Sequence, residues 1–212
     1  MTTPHLFRLD ASIQTNSVSR AVADSFETAW LAAHPEGVIT RRNLGADPLP
    51  YLTETHLAAA RGPDTAATTP TRTLADELLG ADAYLLAIPL YNWGVPAPVK
   101  TWLDHLLIDE RLRVDPPALA GRPAVLVTSR GGAYGPGTPK EGWDYAEPYL
   151  LRILGEHLGL DVSVVRPELT LAGVNPAMFH LQDAAAESLR QAHASAEELA
   201  STLATRLAAI AA

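Results

Sequence analysis

Hydroxyl and amide side chains crowd one short segment, "ASIQTNSVSRA", just after the first apolar run of the chain. They are Ser12, Thr15, Asn16, Ser17 and Ser19. A helix pattern begins inside this segment, and a helix start offers unpaired N–H groups that bind anions. Because the segment has neither Gly-x-Gly-x-x-Gly nor a Walker lysine, it favours a phosphate monoester over a dinucleotide. Helix capping is the alternative explanation for one or two of these residues.

Two large aromatic side chains follow a later apolar run, at the point where the chain should meet solvent. The run over 83–89 leads to Tyr91, Asn92 and Trp93 and then to Gly94. Aromatic rings stack on flat ligands, and an amide can hydrogen-bond the polar edge of such a ligand. The alternatives are an aromatic plug over the edge of a sheet or a contact with a partner.

A third candidate loop, "TSRGGAYGPG", follows the next apolar run. After Ser129 and Arg130 it places Gly131 and Gly132, which let a backbone approach a ligand closely and donate its N–H groups. A flexible turn is the alternative here. Together the three loops would supply walls for a phosphate, a flat ring and the polar edge of that ring.

Alternating strand and helix patterns must position these loops. Strands are predicted over His5–Ala11, Val38–Asn43, Ala83–Ile88, Ala124–Ser129 and Asp161–Arg166. Helices are predicted over Ser17–His34, Thr53–Arg61, Pro70–Leu79, Pro98–Leu107, Tyr145–Leu158 and Ala177–Ala209. Such alternation is typical of a parallel sheet with helices on both faces, which binds ligands at the carboxyl ends of its strands. We therefore expect an α/β fold, with residues 1–212 in one domain and the three loops at one edge.

Composition and charge argue against several classes of protein. The 212 residues include no cysteine, which excludes disulfides and thiolate metal sites, and the seven histidines show no metal-ligand spacing. A formal charge of −8 argues against nucleic acid as a partner, since phosphates attract a basic surface. No apolar stretch is long enough to span a membrane, and the chain starts on a strand pattern rather than a signal peptide. We therefore expect a cytoplasmic protein.

The sequence around the three loops carries longer motifs. These are "PLYNWGVPAPVKTWLD", "TSRGG" and "SVS" at 17–19, with "PYLLRILGEHLG" and "ARGPD" elsewhere. They resemble, in that order, a Pro-Met-Tyr-Asn-Phe motif with its following helix, a second flavin loop, a Ser-Gln-Ser phosphate loop, a Pro-Tyr-Leu…Leu-Gly helix and an arginine loop around the nucleotide or substrate. All five belong to the flavodoxin-like FMN-dependent NADH-azoreductases and NADH:quinone oxidoreductases. The resemblance extends from Leu6 to Leu203.

The resemblance implies a single flavodoxin-like domain with a five-stranded parallel sheet of order 2-1-3-4-5 and FMN as cofactor. The implied FMN ligands are Ser12, Ser17, Val18, Ser19, Pro89, Leu90, Tyr91, Asn92, Trp93, Ser129, Arg130, Gly131 and Gly132. NADH or NADPH would reduce FMN in a two-electron ping-pong reaction. A small aromatic acceptor, a quinone or an azo compound, would then take the electrons. The resemblance also implies a homodimer with FMN near the subunit interface.

Four residues are candidates for contact with the substrate. Arg61 lies in the "ARGPD" loop, Tyr134 stands where a histidine is familiar in the family, and Tyr145 and His157 flank the next helix. Tyr134 is also the one candidate catalytic group, since it could deliver a proton to the acceptor, with water as the alternative donor. Tyr145 suits a core or dimer contact as well. No metal site is predicted.

Two departures from the family pattern carry expectations of their own. Asp10 ends the first strand where the resembling azoreductases can carry a basic residue. Because a carboxylate repels phosphate, we expect its side chain to turn toward Arg8 or Arg20. The helix around Glu156 is polar where the family offers an aromatic lid, and it carries one added residue.

The helix after the aromatic loop predicts a dimer interface. Its apolar residues, too many for one face of a surface helix, are Val99, Trp102, Leu103, Leu106 and Leu107. We expect this helix and the one at Tyr145–Leu158 to pack across a two-fold axis.

Three functions stay open from the sequence. The favoured one is an FMN-dependent NADH:quinone and azo-compound oxidoreductase. The others are a pathway-specific FMN enzyme that acts on an aromatic natural-product intermediate, and a flavodoxin-like electron carrier that serves a protein partner.

Overall fold

Five parallel strands form the central sheet of the computed structural model, which describes residues 3–60 and 69–210. The strand order is β2-β1-β3-β4-β5, which confirms the predicted flavodoxin-like α/β class and the order that the resemblance implies. The strands are β1 (His5–Asp10), β2 (Val38–Asn43), β3 (Ala83–Ala87), β4 (Pro123–Val127) and β5 (Asp161–Val165). Every residue of β3 and β4 is buried, so these strands form the sheet centre.

Helices connect the strands and cover both faces of the sheet. The α-helices are α1 (Val18–Ala33), α2 (Glu54–Ala59), α3 (Thr69–Leu79), α4 (Ala97–Leu106), α5 (Ala146–Leu151) and α6 (Gln182–Ile210). A 3₁₀ helix over Pro176–Leu181 precedes α6, where a continuous helix was expected. No helix within the described ranges is both long and apolar enough to cross a membrane.

The alternation of side chains along β1 divides the interior into two cores. Phe7 and Leu9 belong to a core with α3, α4 and α5, while Leu6 belongs to a core with α1 and α6. Successive strand residues point to opposite faces, so one strand serves both cores. With both faces covered, the loops at the carboxyl edge are left to meet a ligand.

Helix α4 is buried by this chain alone, which corrects the predicted dimer packing. Val99, Trp102, Leu103 and Leu106 are fully buried without a second subunit. The ring of Trp102 stacks on that of Phe7, with centroids 6.2 Å apart and planes 5° apart. A further side of α4 is covered at His105, which contacts the Thr71 hydroxyl at 3.0 Å and the Pro50 carbonyl at 2.9 Å, while Lys100 stays exposed and Leu107 is half-buried. The expectation that the apolar excess of α4 needs a two-fold axis was therefore wrong.

The predicted helix over Tyr145–Leu158 changes its winding part-way. After α5, residues Arg152–His157 form a π-helical turn, and the N–H of Leu158 donates to the carbonyl of Ile153 over 2.9 Å. An i→i−5 bond of this kind accommodates one extra residue in a helix. The π-turn fits the added residue that the family resemblance implies near Glu156, which stays a prediction.

Candidate active site

The first wall of the site is the start of α1. Ser17 caps the helix, and its hydroxyl accepts the N–H of Arg20 at 3.3 Å and lies 3.1 Å from the Ser19 hydroxyl. The N–H groups of Val18 and Ser19 have no hydrogen-bond partner in the described part of the chain. Unpaired donors, hydroxyls and the positive end of the helix dipole together favour an anion.

Beneath this wall, the carboxylate of Asp10 is neutralised by arginines. Arg8 donates to both oxygens of Asp10 over 3.1 Å, and the Nε of Arg20 lies 4.0 Å from Asp10. This confirms the expected partners of Asp10. Arg20 also donates to the Ser12 carbonyl over 3.2 Å, so it holds the loop while it offsets the negative charge.

Arg8 is itself buried, and its charge is balanced from α1. Asp24 lies 2.7 Å and Glu27 3.0 Å from its guanidinium nitrogens. Burial disfavours the cation, but the hydrogen bonds and negative charges of Asp10, Asp24 and Glu27 outweigh it and raise the pKa of Arg8. Arg8 therefore stays charged beneath the start of α1, with its charge balanced by these carboxylates.

The second wall is a tight hairpin that presents the aromatic loop. Tyr91 and Gly94 pair through two backbone hydrogen bonds of 3.3 and 2.9 Å. The two residues between them, Asn92 and Trp93, have φ values of 48° and 62°. This is the left-handed region, and a tryptophan there is strained, which is typical of functional positions. The Tyr91 hydroxyl lies 3.0 Å from that of Ser12, so this wall is fastened to the first.

The third wall is the Gly-Gly loop after β4. It is held by the segment after β5, since Thr170 donates to the Arg130 carbonyl over 3.0 Å and Leu171 to the Gly131 carbonyl over 3.2 Å. A Cβ at Gly131 would lie 2.7 Å from Cδ1 of Leu171, so a larger residue would have to displace this exposed side chain. The N–H groups of Gly131 and Gly132 have no partner within the described ranges.

Arg130 anchors the third wall from below. Its buried guanidinium contacts Glu147, lies 2.6 Å from Asp144 and donates to Glu168 over 3.2 Å. These carboxylates come from the start of α5 and from the segment after β5, so one cation joins three parts of the chain. Burial opposes the ionisation of Glu147, but hydrogen bonds and charges from Arg166 and Arg130 outweigh it and lower the pKa of Glu147.

The three walls enclose a cavity of about 390 Å³, within the usual range for small-molecule sites. Nine of the predicted cofactor residues line it: Ser12, Ser17, Val18, Pro89, Leu90, Tyr91, Asn92, Ser129 and Gly131. Sequence reasoning missed four further lining residues: Ile13, Gln14, Thr170 and Leu171. The signal available for Thr170 and Leu171 was their position after the fifth strand, at the same edge as the other loops.

Four predicted cofactor residues lie behind or beside the cavity rather than on its surface. Ser19 is fully buried behind Ser17, and Arg130 is turned into its carboxylates. Gly132 follows the lining residue Gly131, and Trp93 follows the lining residue Asn92 with 42% of its surface exposed. A role for these residues toward a cofactor stays a prediction.

The substrate candidates are spread more widely. Tyr134 lies beside the third wall, with its Cε2 3.8 Å from the Cβ position of Gly132. Tyr145 is 66% exposed and donates its N–H to the Trp93 carbonyl over 2.9 Å. His157 lines a separate surface cavity with Ile153, and Arg61 lies outside the described residues. One chain thus places Tyr134 and Tyr145 next to the loops that form the cavity, although neither lines it, and places His157 elsewhere.

The environment of Tyr134 keeps its hydroxyl protonated. Burial raises the pKa of Tyr134, as do the negative charges of Asp144 and Glu168, while Arg130 acts in the opposite direction. At neutral pH the phenol is therefore a hydrogen-bond donor.

Within residues 3–60 and 69–210, no three histidine or carboxylate side chains are grouped where they could hold a metal ion.

A flavodoxin-like fold family model matches residues 4–199 of the chain. The chain belongs to the flavodoxin-like family. Curated relatives of this flavodoxin-like protein are named FMN-dependent NADH:quinone oxidoreductases, which confirms the resemblance seen in the motifs. One from Kineococcus radiotolerans is 44% identical over 94% of this chain and 100% of its own length. Another from Frankia casuarinae is 40% identical over 93% of this chain and 99% of its own.

Solved structures share the fold of this flavodoxin-like protein. An azoreductase from Bacillus anthracis strain Sterne superposes with a TM-score of 0.80 at 19% identity, over 93% of this chain and 99% of its own. An FMN-dependent NADH-azoreductase from Bacillus anthracis strain Ames Ancestor, solved in complex with FMN, gives a TM-score of 0.77 at 23% identity, over 95% of this chain and 100% of its own. At 19% and 23% identity, this similarity shows a shared fold only.

The Arg130 anchor predicts a pH-dependent loss of stability. Arg130→Met leaves three carboxylates around a buried site without their shared cation, which should cost about 3–5 kcal/mol of unfolding free energy at pH 7. A carboxylate whose pKa is lowered by folding stabilises the protein at pH values above its pKa in the unfolded state. This stabilisation is lost as the pH falls through its pKa in the folded state. The deficit of the variant should therefore shrink between pH 7 and about pH 4, as the carboxylates take up protons.

Urea unfolding of wild type and variant at both pH values measures this effect. Arg152→Met, which removes an exposed guanidinium paired with Glu156, is the control and should change stability by less than about 1 kcal/mol. The anchoring role would be contradicted if Arg130→Met lost little unfolding free energy at pH 7, or if the loss did not change with pH.

Proposed function

We propose that this protein is an FMN-dependent NADH:quinone oxidoreductase that also reduces azo compounds, in two-electron steps. The observation that carries the proposal is the cavity at the carboxyl edge, where unpaired N–H donors, hydroxyls and an aromatic hairpin meet. The names of relatives at 40% and 44% identity over nearly the whole chain support the same activity.

The residues present fit FMN in chemistry and in size. The phosphate would be held at the start of α1 by Ser17, Val18 and Ser19 with Ser12 alongside. The aromatic hairpin, with Pro89 and Leu90 before it, would wall the flat ring. The N–H groups of Gly131 and Gly132 would reach the polar edge of the ring, on the loop that Ser129 and Arg130 support. Donors aimed at that edge favour negative charge that develops there.

FMN, when bound, supplies the redox chemistry by taking a hydride from NADH or NADPH and passing two electrons to the acceptor. The chain's own residues bind, orient and exclude water, since hydride transfer depends on geometry more than on an acid or base. Tyr134 is the exception, because its protonated phenol can donate a proton to the reduced acceptor.

We infer that the enzyme is a cytoplasmic homodimer and that the chain acts as one domain. Support for the dimer comes from apolar side chains exposed on the loops that form the cavity, among them Ile13 and Val174 at 67% and 71% exposure. Exposed apolar clusters normally mark an interface or a ligand site. In a dimer, Tyr145 or His157 could reach the acceptor bound by the partner, with Arg61 as a further candidate.

The cofactor assignment is tested on the purified protein. Denaturation should release FMN, identified by mass, and the native protein should oxidise NADH only when a quinone is supplied. Release of FAD, or an inability to rebind FMN after its removal, would contradict the assignment.

A proline at the first residue of α1 tests the phosphate site. Val18→Pro removes one N–H donor, while proline is well tolerated at a first helical position and Ser17 already has the extended backbone that precedes proline. A hydrogen bond to a charged group contributes about 1.5–3 kcal/mol, so FMN affinity should fall about 10-fold or more. Val18→Ala keeps the N–H and is the matched control. Equal FMN affinity in the two variants, measured by fluorescence titration, would place the phosphate elsewhere.

Removal of the Tyr134 hydroxyl tests its role as proton donor. In Tyr134→Phe, reduction by NADH should keep its rate, whereas reoxidation by an acceptor should slow by about 10-fold or more if no water replaces the phenol. Stopped-flow measurement separates the two half-reactions. A large slowing of the NADH half-reaction alone would rule out the assignment.

Light scattering at low micromolar concentration tests the homodimer. The expected mass is twice the 22.6 kDa of the chain. A mass of 22.6 kDa with FMN bound and full turnover would show that one chain forms the complete site.

A further inference from the structure

A cation lies over two exposed indole rings next to the aromatic hairpin of the site. The rings of Trp93 and Trp143 meet edge to face, with centroids 5.3 Å apart, and are 42% and 44% exposed. The Lys140 ammonium lies 4.1 Å from the centre of the Trp143 ring and 5.5 Å from that of Trp93. We call these three side chains the aromatic platform.

The aromatic platform is fastened to two walls of the cavity. Trp93 directly follows Asn92, which lines the cavity, and the Trp93 carbonyl accepts the N–H of Tyr145 over 2.9 Å. Asp144, between Trp143 and Tyr145, lies 2.6 Å from the buried Arg130 that anchors the third wall. A group bound on the platform would therefore lie next to two of the loops that form the proposed FMN site.

Lys140 keeps its charge available. It forms no ion pair with a carboxylate of the described residues. The nearest acidic residues in sequence are committed elsewhere, since Glu141 accepts the Gly137 N–H at 2.8 Å and Asp144 binds Arg130. Across the chain the formal charge is −8, which repels anions, so Lys140 provides a local attraction beside the aromatic hairpin.

We propose that the aromatic platform is a subsite for acceptors that carry an anionic substituent, a carboxylate or a sulfonate, on a planar aromatic ring. The ring packs on the exposed indole faces, and the anion meets the Lys140 ammonium. The inference rests on the proposed function and adds the charge class of the acceptor. It assigns Lys140 as a specificity-determining residue.

Tryptophan fluorescence reports binding to the platform directly, without turnover. The other tryptophans of the chain, Trp30 and Trp102, are fully buried, so quenching by an added aromatic compound arises at Trp93 and Trp143. The probes are naphthalene-2-sulfonate and its neutral analogue naphthalene-2-methanol. In Lys140→Met the affinity for the sulfonate should fall about threefold to tenfold relative to that for the neutral probe. Lys140→Arg should restore the preference.

The chain offers a matched control, because Lys100 is its only other lysine. Lys100 is exposed on α4 and pairs with Asp104, and Lys100→Met changes the net charge by the same amount. This control should retain the wild-type preference for the sulfonate. If Lys140→Met and Lys100→Met lost the preference for the sulfonate to the same extent, the cause would be the net charge of the protein. That result would overturn the subsite.

Steady-state kinetics separate the acceptor from the nucleotide as the bound anion. The ratio of KM for 1,2-naphthoquinone-4-sulfonate to KM for menadione should rise about threefold to tenfold in Lys140→Met, with KM for NADH and NADPH unchanged. A rise in KM for either nucleotide in place of the sulfonate would assign Lys140 to the phosphates of the donor and overturn the proposal. A protein that never oxidises NADH with menadione would refute the proposed function instead, and the fluorescence preference would still decide the subsite.

Discussion

The complete burial of the central strands constrains everything else in this protein. Because every residue of β3 and β4 is covered by helices on both faces, the sheet offers no face to a ligand. Chemistry is confined to the carboxyl edge, where the chain leaves the sheet and backbone donors go unpaired. The loops keep pairing with each other beyond the strands, as Leu90 does with Ser129 over 2.9 Å and Arg130 with Pro167 over 2.9 Å. The walls of the cavity are therefore extensions of the sheet rather than free loops.

Two buried arginines make that edge compatible with an anionic, planar ligand. Arg8 neutralises Asp10 directly beneath the helix start that would hold a phosphate. Arg130 holds the Gly-Gly loop through carboxylates that are distant in sequence. Neither guanidinium lines the cavity, so both support its walls through buried ion pairs. The strain of Trp93 in the left-handed region fits the same pattern, since a rigid frame is needed to hold it there.

The sequence was sufficient for the alternation of strands and helices and for the start of α1 near Ser17, because these are local signals, while the sheet order and most of the cavity lining followed from the family resemblance of the loop motifs. It could not reveal the contribution of Thr170 and Leu171, whose position depends on Leu169 in the left-handed region and on pairing with Gly131. The burial of α4 was misjudged because a helix pattern counts apolar faces but cannot show that the sheet, α3 and the segment at Pro50 cover more than one of them. Trp143 was missed because it lies in an irregular segment that only tertiary contacts bring to Trp93.

The central claim is that the carboxyl-edge cavity holds FMN as a two-electron centre served by a nicotinamide nucleotide. Anaerobic titration of the FMN-loaded protein with NADH, followed by absorbance, tests this most directly. The account predicts that the flavin band bleaches fully with one equivalent of NADH per FMN, with no separate absorbing species at half an equivalent, and that a quinone restores the band. A protein that NADH does not bleach, or that accumulates a stable one-electron-reduced flavin under chemical reduction, would be an electron carrier, and the account would be wrong.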